Sequence, residues 1–152
     1  MDALVNTPIV NRIGIAALLL GLVSFGCSPK VTGSQHQSRE AGGVLVAVSV
    51  RPGLPQDSET AVNATGAQVG DNTLTVELRD DKTNAPIGDA NVTAAPASDL
   101  VGQQRGESGR SQGNGIYLVP IRFGVPDKYT VIVTIDRPGR SETSAQFSIT
   151  AN

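Results

Sequence analysis

Asn72-Thr73-Leu74-Thr75-Val76-Glu77-Leu78-Arg79 alternates polar and apolar residues from Thr73 onward. Leu74, Val76 and Leu78 share one face, and Thr73, Thr75 and Glu77 share the other. Period two predicts a strand buried on one side only. The same pattern returns in Tyr129 to Ile135, where Tyr129, Val131, Val133 and Ile135 fall on one face. Val44, Val46, Val48 and Val50 alternate with Leu45, Ala47 and Ser49, and that strand ends at Arg51-Pro52-Gly53. Ala90, Val92 and Ala94 form a shorter run that Pro96 closes. Gly115 opens Ile116 to Phe123, in which Pro120 marks an edge or a bulge because proline cannot donate to a ladder. Ala145, Phe147 and Ile149 define a last strand between Thr143 and Thr150. Turns fall at Asp80–Asn84, Gly124–Asp127 and Arg137–Arg140. Leu54 to Gly70 is irregular, with Pro55, Asn63 and Gly66 as breakers. Ala97 to Asn114 reads as a long loop or a weak edge strand.

No stretch after residue 43 carries a helical period. Six or seven short strands within residues 44–152 point to an all-β, immunoglobulin-like antiparallel sandwich of about seven strands, a fold that takes ~100 residues. Another small antiparallel barrel is the alternative. Seventeen glycines, nine prolines and no tryptophan suit a turn-rich β domain. The chain has one cysteine, so it has no internal disulfide and no Cys…Trp…Cys pattern. A formal net charge of −2 gives no basic surface for nucleic acid.

The amino-terminal part has a different composition. Ile13 to Gly26 is uncharged and apolar, and it ends at Cys27. The run is too short for a spanning helix of ~20 residues and fits a signal-peptide core. Small residues leading into a lone cysteine resemble a bacterial lipoprotein signal. Gly26 matches that pattern, whereas Phe25 is bulky and Ser24 stands where an aliphatic is usual. The resemblance implies that residues 1–26 are a removable signal peptide and that Cys27 is acylated. The alternatives are an uncleaved anchor and an ordinary signal followed by an incidental cysteine. Residues 27–43 are rich in Pro, Ser, Gln and Gly and read as a flexible tether. Ser28 after the cysteine, rather than Asp, implies by the same resemblance an outer-membrane position facing the periplasm. His36 falls in the tether and reads as a solvated residue.

Several motifs resemble YtkA-like domains, which are related to FixH. Gly70-Asp71-Asn72-Thr73-Leu74-Thr75-Val76 is similar to their G-x-N-x-hydrophobic-x-V segment. Asn84-Ala85-Pro86-Ile87-Gly88-Asp89-Ala90-Asn91-Val92 is similar to G-x-P-hydrophobic-x-x-A-x-V, with Asn84 in the glycine position. Gly115-Ile116-Tyr117 matches G-x-Y, and Asp127-Lys128-Tyr129-Thr130-Val131 is similar to G-x-W-x-V. The resemblance covers roughly Val44 to Ile149. It implies an exported or membrane-bound protein involved in metal handling, especially of copper, or in respiratory-complex assembly. Many such domains carry Met and His between the middle strands, and Pro96 to Asn114 has neither. As turn and core residues, these motifs place Ala90 and Val92 inside. They make Tyr117 and Tyr129 plugs on opposite sheets, with hydrogen-bond partners at the rim.

The residue inventory argues against an enzyme. One histidine in a tether completes no Ser-His-Asp set, and a single cysteine gives no zinc or redox pair. The glycines at 102, 106, 109, 113 and 115 do not form a phosphate loop. Asp80, Asp81 and Asp89 offer the oxygen that calcium prefers, but the D-x-D-x-D spacing is missing, so they read as solvated turn carboxylates. The expectation is a non-enzymatic, lipid-anchored envelope protein without a cofactor or metal. Its partners would be membrane lipid, through Cys27, and an envelope protein held at the 97–114 segment. The alternatives are a periplasmic small-ligand or metal carrier and a carbohydrate- or adhesion-type surface module.

Overall fold

The structure, a computed structural model, describes residues 36–54 and 66–152. Among the described residues there are ten strands and no helix. They are β1 (Gln37–Ala41), β2 (Val44–Pro52), β3 (Gly70–Asp80), β4 (Asn91–Ser98), β5 (Gly102–Gln103), β6 (Glu107–Ser108), β7 (Arg110–Gly113), β8 (Ile116–Phe123), β9 (Asp127–Asp136) and β10 (Thr143–Ala151). One sheet has the order β1-β2-β3-β8-β7 and the other β10-β9-β4-β5, with β6 also pairing on β4. All the strand pairs are antiparallel.

The alternation read from the sequence sets which residues meet. Val46 pairs with Leu78 and Val48 with Val76, and Leu74 pairs with Val119. In the other sheet, Val133 pairs with Ala145 and Val131 with Phe147. These side chains form one continuous core. Each fully buried Val, Leu, Ile or Phe contributes ~1.5–3 kcal/mol relative to an exposed one.

The strand order is that of an immunoglobulin-like sandwich. β2, β3, β8 and β7 take the places of strands A, B, E and D, and β4, β9 and β10 those of C, F and G. Tyr129 strengthens the correspondence. It lies near the start of β9, is fully buried, and turns its hydroxyl back onto the preceding corner. That hydroxyl donates to the Val125 carbonyl at 3.0 Å and accepts from the Val125 N–H at 3.1 Å. This is the tyrosine corner of such domains. Where antibody domains then place a cysteine two residues on, this chain has the buried Val131.

Three expectations change in detail. Residues 37–41, assigned to the tether, form β1. Gly42 and Gly43 have φ of +57° and +78°, which makes a two-residue turn of the kind that joins twisted strands. Residues 97–114, read as a loop or a weak edge strand, contain β5, β6 and β7. Thr73, placed on the solvent side by parity, is fully buried on that side, and its hydroxyl donates to the Gly53 carbonyl at 2.7 Å.

Polar groups close the ends of the sandwich. Asn72 points inward and is fully buried. Its amide donates to the carbonyls of Gln68 and Gly70 and accepts from the Gln68 N–H, at 2.7 to 3.0 Å. The segment it holds lies along β10, with Ala67 bridged to Ala151. At the other end, the Tyr117 hydroxyl donates to the Ile87 carbonyl at 3.0 Å and accepts from the Ala90 N–H at 3.1 Å. Both tyrosines thus plug the core from opposite sheets with bonded hydroxyls, as expected.

Candidate functional site

The 97–114 segment builds the most distinctive surface. After β4 the chain turns through Asp99, Leu100 and Val101, and β5 pairs back on Ala97 and Ser98. The Gln104 N–H then donates to the Pro96 carbonyl at 2.8 Å. β6 pairs with Thr93 and Ala94, and the Gly109 N–H donates to the Val92 carbonyl at 2.7 Å. The segment therefore follows β4 along its length as an interrupted edge. It next crosses to the other sheet, where β7 pairs with Ile116 to Leu118 of β8.

Gly109 is the crossing point. A side chain there would meet Val119 Cγ2 at 3.0 Å and the Val92 carbonyl at 3.3 Å. A Cβ there would require Val119 and the Val92 carbonyl to give by a few tenths of an ångström, so glycine eases the close passage between both sheets. Because the pairing with β7 reaches only as far as Leu118, β8 from Val119 to Phe123 has no strand partner on that side among the described residues. Pro120 lies in this open stretch, where a missing N–H disturbs no ladder.

A groove runs along the open edge. Two clefts of about 200 and 250 Å³ share Glu107, Pro120, Ile121 and Arg122. Pro96, Gln104 and Arg105 line the first, and Leu54 and Asp71 the second. Arg122 Nη1 lies 3.1 Å from Asp71 Oδ1, with both side chains well exposed, so the pair contributes at most ~1 kcal/mol. Arg105 has no hydrogen-bond or ion-pair partner among the described residues. The groove thus offers apolar proline and isoleucine edges with charged groups of both signs. That suits an extended polypeptide better than a small anion. A third cleft of about 330 Å³ lies beside the β4–β5 turn, lined by Asp99, Gln103, Asp127 and Lys128. Asp127 Oδ1 accepts the Lys128 N–H at 2.7 Å.

The other sequence candidates are dispersed. Cys27 and residues 1–26 lie outside the described residues, as does most of the tether. His36 is exposed just ahead of β1. Asp80, Asp81 and Asp89 do not gather. Asp80 Oδ1 accepts the N–H and the hydroxyl of Thr83, both at 2.9 Å, and the Lys82 N–H at 3.2 Å. The Thr83 N–H, then its hydroxyl, hold the Asp80 carboxyl below its ordinary value of 3.8. Among the described residues, no three His, Cys, Asp or Glu side chains stand close enough to hold a metal ion. Arg105 and Glu107, within the segment read as a loop or a weak edge strand, are groove residues. The clue to them lay in Gly109, whose close packing fixes where the segment crosses.

Two known structures align with the chain. A copper-bound variant of FetP from uropathogenic Escherichia coli strain F11 aligns over 79% of this chain and 98% of its own, with a TM-score of 0.53 and 11% identity. A DUF4426 family protein from Pseudomonas aeruginosa PAO1 aligns over 76% of this chain and 93% of its own, with a TM-score of 0.49 and 14% identity. At such identities the likeness to FetP speaks for the fold alone. No protein-family model matches the chain, and no curated protein matches it.

Proposed function

We propose that the protein is a non-enzymatic, exported lipoprotein, anchored through acyl chains on Cys27, whose sandwich binds or supports a partner in the envelope. The observation that carries the binding role is the open β8 edge with its groove between Gln104–Glu107 and Pro120–Arg122. An open strand edge on a rigid sandwich is a ready template for an extended segment, which adds main-chain hydrogen bonds and uses the groove for side-chain selection. The lone cysteine at the end of the apolar Ile13–Gly26 run supports the anchor. The YtkA-like motifs support an accessory role beside metal efflux or respiratory-complex assembly. A position in the outer membrane, facing the periplasm, follows from Ser28.

The test is crosslinking in cells from a photoreactive residue at Arg105, with one at Ser144 on β10 as the control. A discrete membrane-protein adduct from position 105, lost in Glu107→Lys, supports the reading. Equal adducts from both positions, or none from 105, would count against it.

A metal-carrying module is the second reading, favoured by the copper-bound neighbour of like fold. Soft copper sites use thioether, thiolate or imidazole ligands. The chain's one Met, one Cys and one His are Met1, Cys27 and His36. Copper retained by purified protein at one equivalent would establish this reading, and protein without copper affinity would end it.

A further inference from the structure

Four of the five exposed large apolar side chains of the described residues lie at one end of the sandwich. β2 finishes at that end and leads to Leu54, β3 begins there after Val69, and β4 finishes there and turns through Leu100 and Val101. The two sheets are in step at this end. The Val69 N–H donates to the Asn152 carbonyl at 3.1 Å, Ala151 pairs with Asp127, and Thr130 pairs with Ala97. Leu100 is 71% exposed and Val101 40%, on a turn held by β4–β5 pairing. The fifth exposed side chain, Leu45, sits near the opposite end of β2. That opposite end presents the charged turns of Asp81, Lys82, Arg140 and Glu142.

The described chain also starts on the side of β1 that faces the apolar end, with Gln37 paired to Val48 midway along β2. β1 runs antiparallel to β2, so Gln37 is its residue nearest the Leu100 turn. Ser28 to Gln35 is all that separates Cys27 from His36. Fully extended, that link spans about 30 Å. A ten-residue strand such as β9 is itself about 33 Å long. A lipid at Cys27 therefore leaves the Leu100 end within reach of the bilayer.

We propose that the Leu100–Val101 turn is a membrane-contacting tip, seated at the boundary between headgroups and acyl chains. This rests on the lipid-anchor reading. Asp99, Asp127 and Lys128 leave the turn with little net charge, so the contact is apolar and does not require anionic lipid.

The chain contains no tryptophan, so Leu100→Trp places a single reporter on an exposed turn. The full-length lipidated protein carrying it is reconstituted into phosphatidylethanolamine–phosphatidylglycerol vesicles, with and without acyl-chain bromine. Arg140→Trp serves as the control. The expected result is blue-shifted emission quenched by bromine for Leu100→Trp, and water-like, unquenched emission for Arg140→Trp. Water-like emission from Leu100→Trp overturns the proposal. So does blue-shifted emission that bromine leaves unquenched, since protein then covers the turn. Vesicle flotation separates the two readings. Protein that floats through its lipid while Leu100→Trp stays unquenched removes the tip and leaves the anchor. Full-length Cys27→Ser remaining in cell membranes removes the anchor, and the tip with it.

Discussion

The side-chain amide of Gln37 takes up both main-chain hydrogen-bonding groups of Ser148, 111 residues away. Gln37 Oε1 accepts the Ser148 N–H at 3.2 Å, and Gln37 Nε2 donates to the Ser148 carbonyl. The amide thus acts as a one-residue strand against the open edge of β10, joining the outer strand of one sheet to that of the other. It makes β1 part of the domain, so the tether ends before residue 37.

Gln37→Ala should lower stability by about 1–2 kcal/mol, the loss of two hydrogen bonds at a half-buried site. For a domain of this size that is roughly 4–8 °C in Tm. Thermal unfolding followed by circular dichroism measures it. An unchanged Tm would mean that the Gln37–Ser148 contact contributes nothing to stability.

The two tyrosine hydroxyls should matter individually. Tyr117→Phe leaves the Ile87 carbonyl and the Ala90 N–H without their partner, and Tyr129→Phe does the same at Val125. Each should cost about 1–3 kcal/mol, because part-buried polar groups are left unsatisfied while ring packing is kept. Denaturant midpoints read the loss, and midpoints equal to wild type would contradict it.

Gly109→Ala should destabilise by about 1–3 kcal/mol, since a methyl group enters space already filled by Val119 and the Val92 carbonyl. Amide exchange should quicken at β6 and β7 before the β3–β8 core responds. Uniform protection across the domain would show that the crossing has room to give.

Asp80 predicts a small acid-side effect. Its folded value is depressed, so the contribution is present above the ordinary 3.8 and is lost as pH falls through the folded value. Carboxyl shifts followed by NMR should place the Asp80 midpoint below 3.8. Asp80→Asn should remove that part of the stability loss below the ordinary value. A midpoint at or above the ordinary value would show that Thr83 does not bind the carboxylate in solution.

What could be read from the sequence follows from burial. Leu74-Val76-Leu78, Tyr129-Val131-Val133 and Ala145-Phe147-Ile149 each bury one face completely, so their alternation predicts both strand and orientation. β1 shows no such alternation. Ser38, Arg39 and Glu40 are all exposed on an edge strand, and the signal that remained was Gly42-Gly43, which also reads as linker. β5, β6 and β7 are exposed at every position. They are strands because their backbones pair with β4 and β8, and side-chain pattern carries no trace of that. Thr73 hid for a related reason: parity gave its face, while the chain leaving β2 decided its burial. The groove was beyond reach because it depends on where β7 stops along β8. Arg105 and Glu107 become neighbours of Pro120 and Arg122 only through that pairing.

The anchor at Cys27 is the claim on which location and the membrane-facing tip both depend. Intact and peptide mass spectrometry of the protein extracted from membranes tests it most directly. Lipid anchoring predicts a mature chain that begins at Cys27, lacks residues 1–26, and carries two or three acyl chains on that residue. A chain that retains residues 1–26, or one that begins elsewhere with an unmodified Cys27, would contradict it.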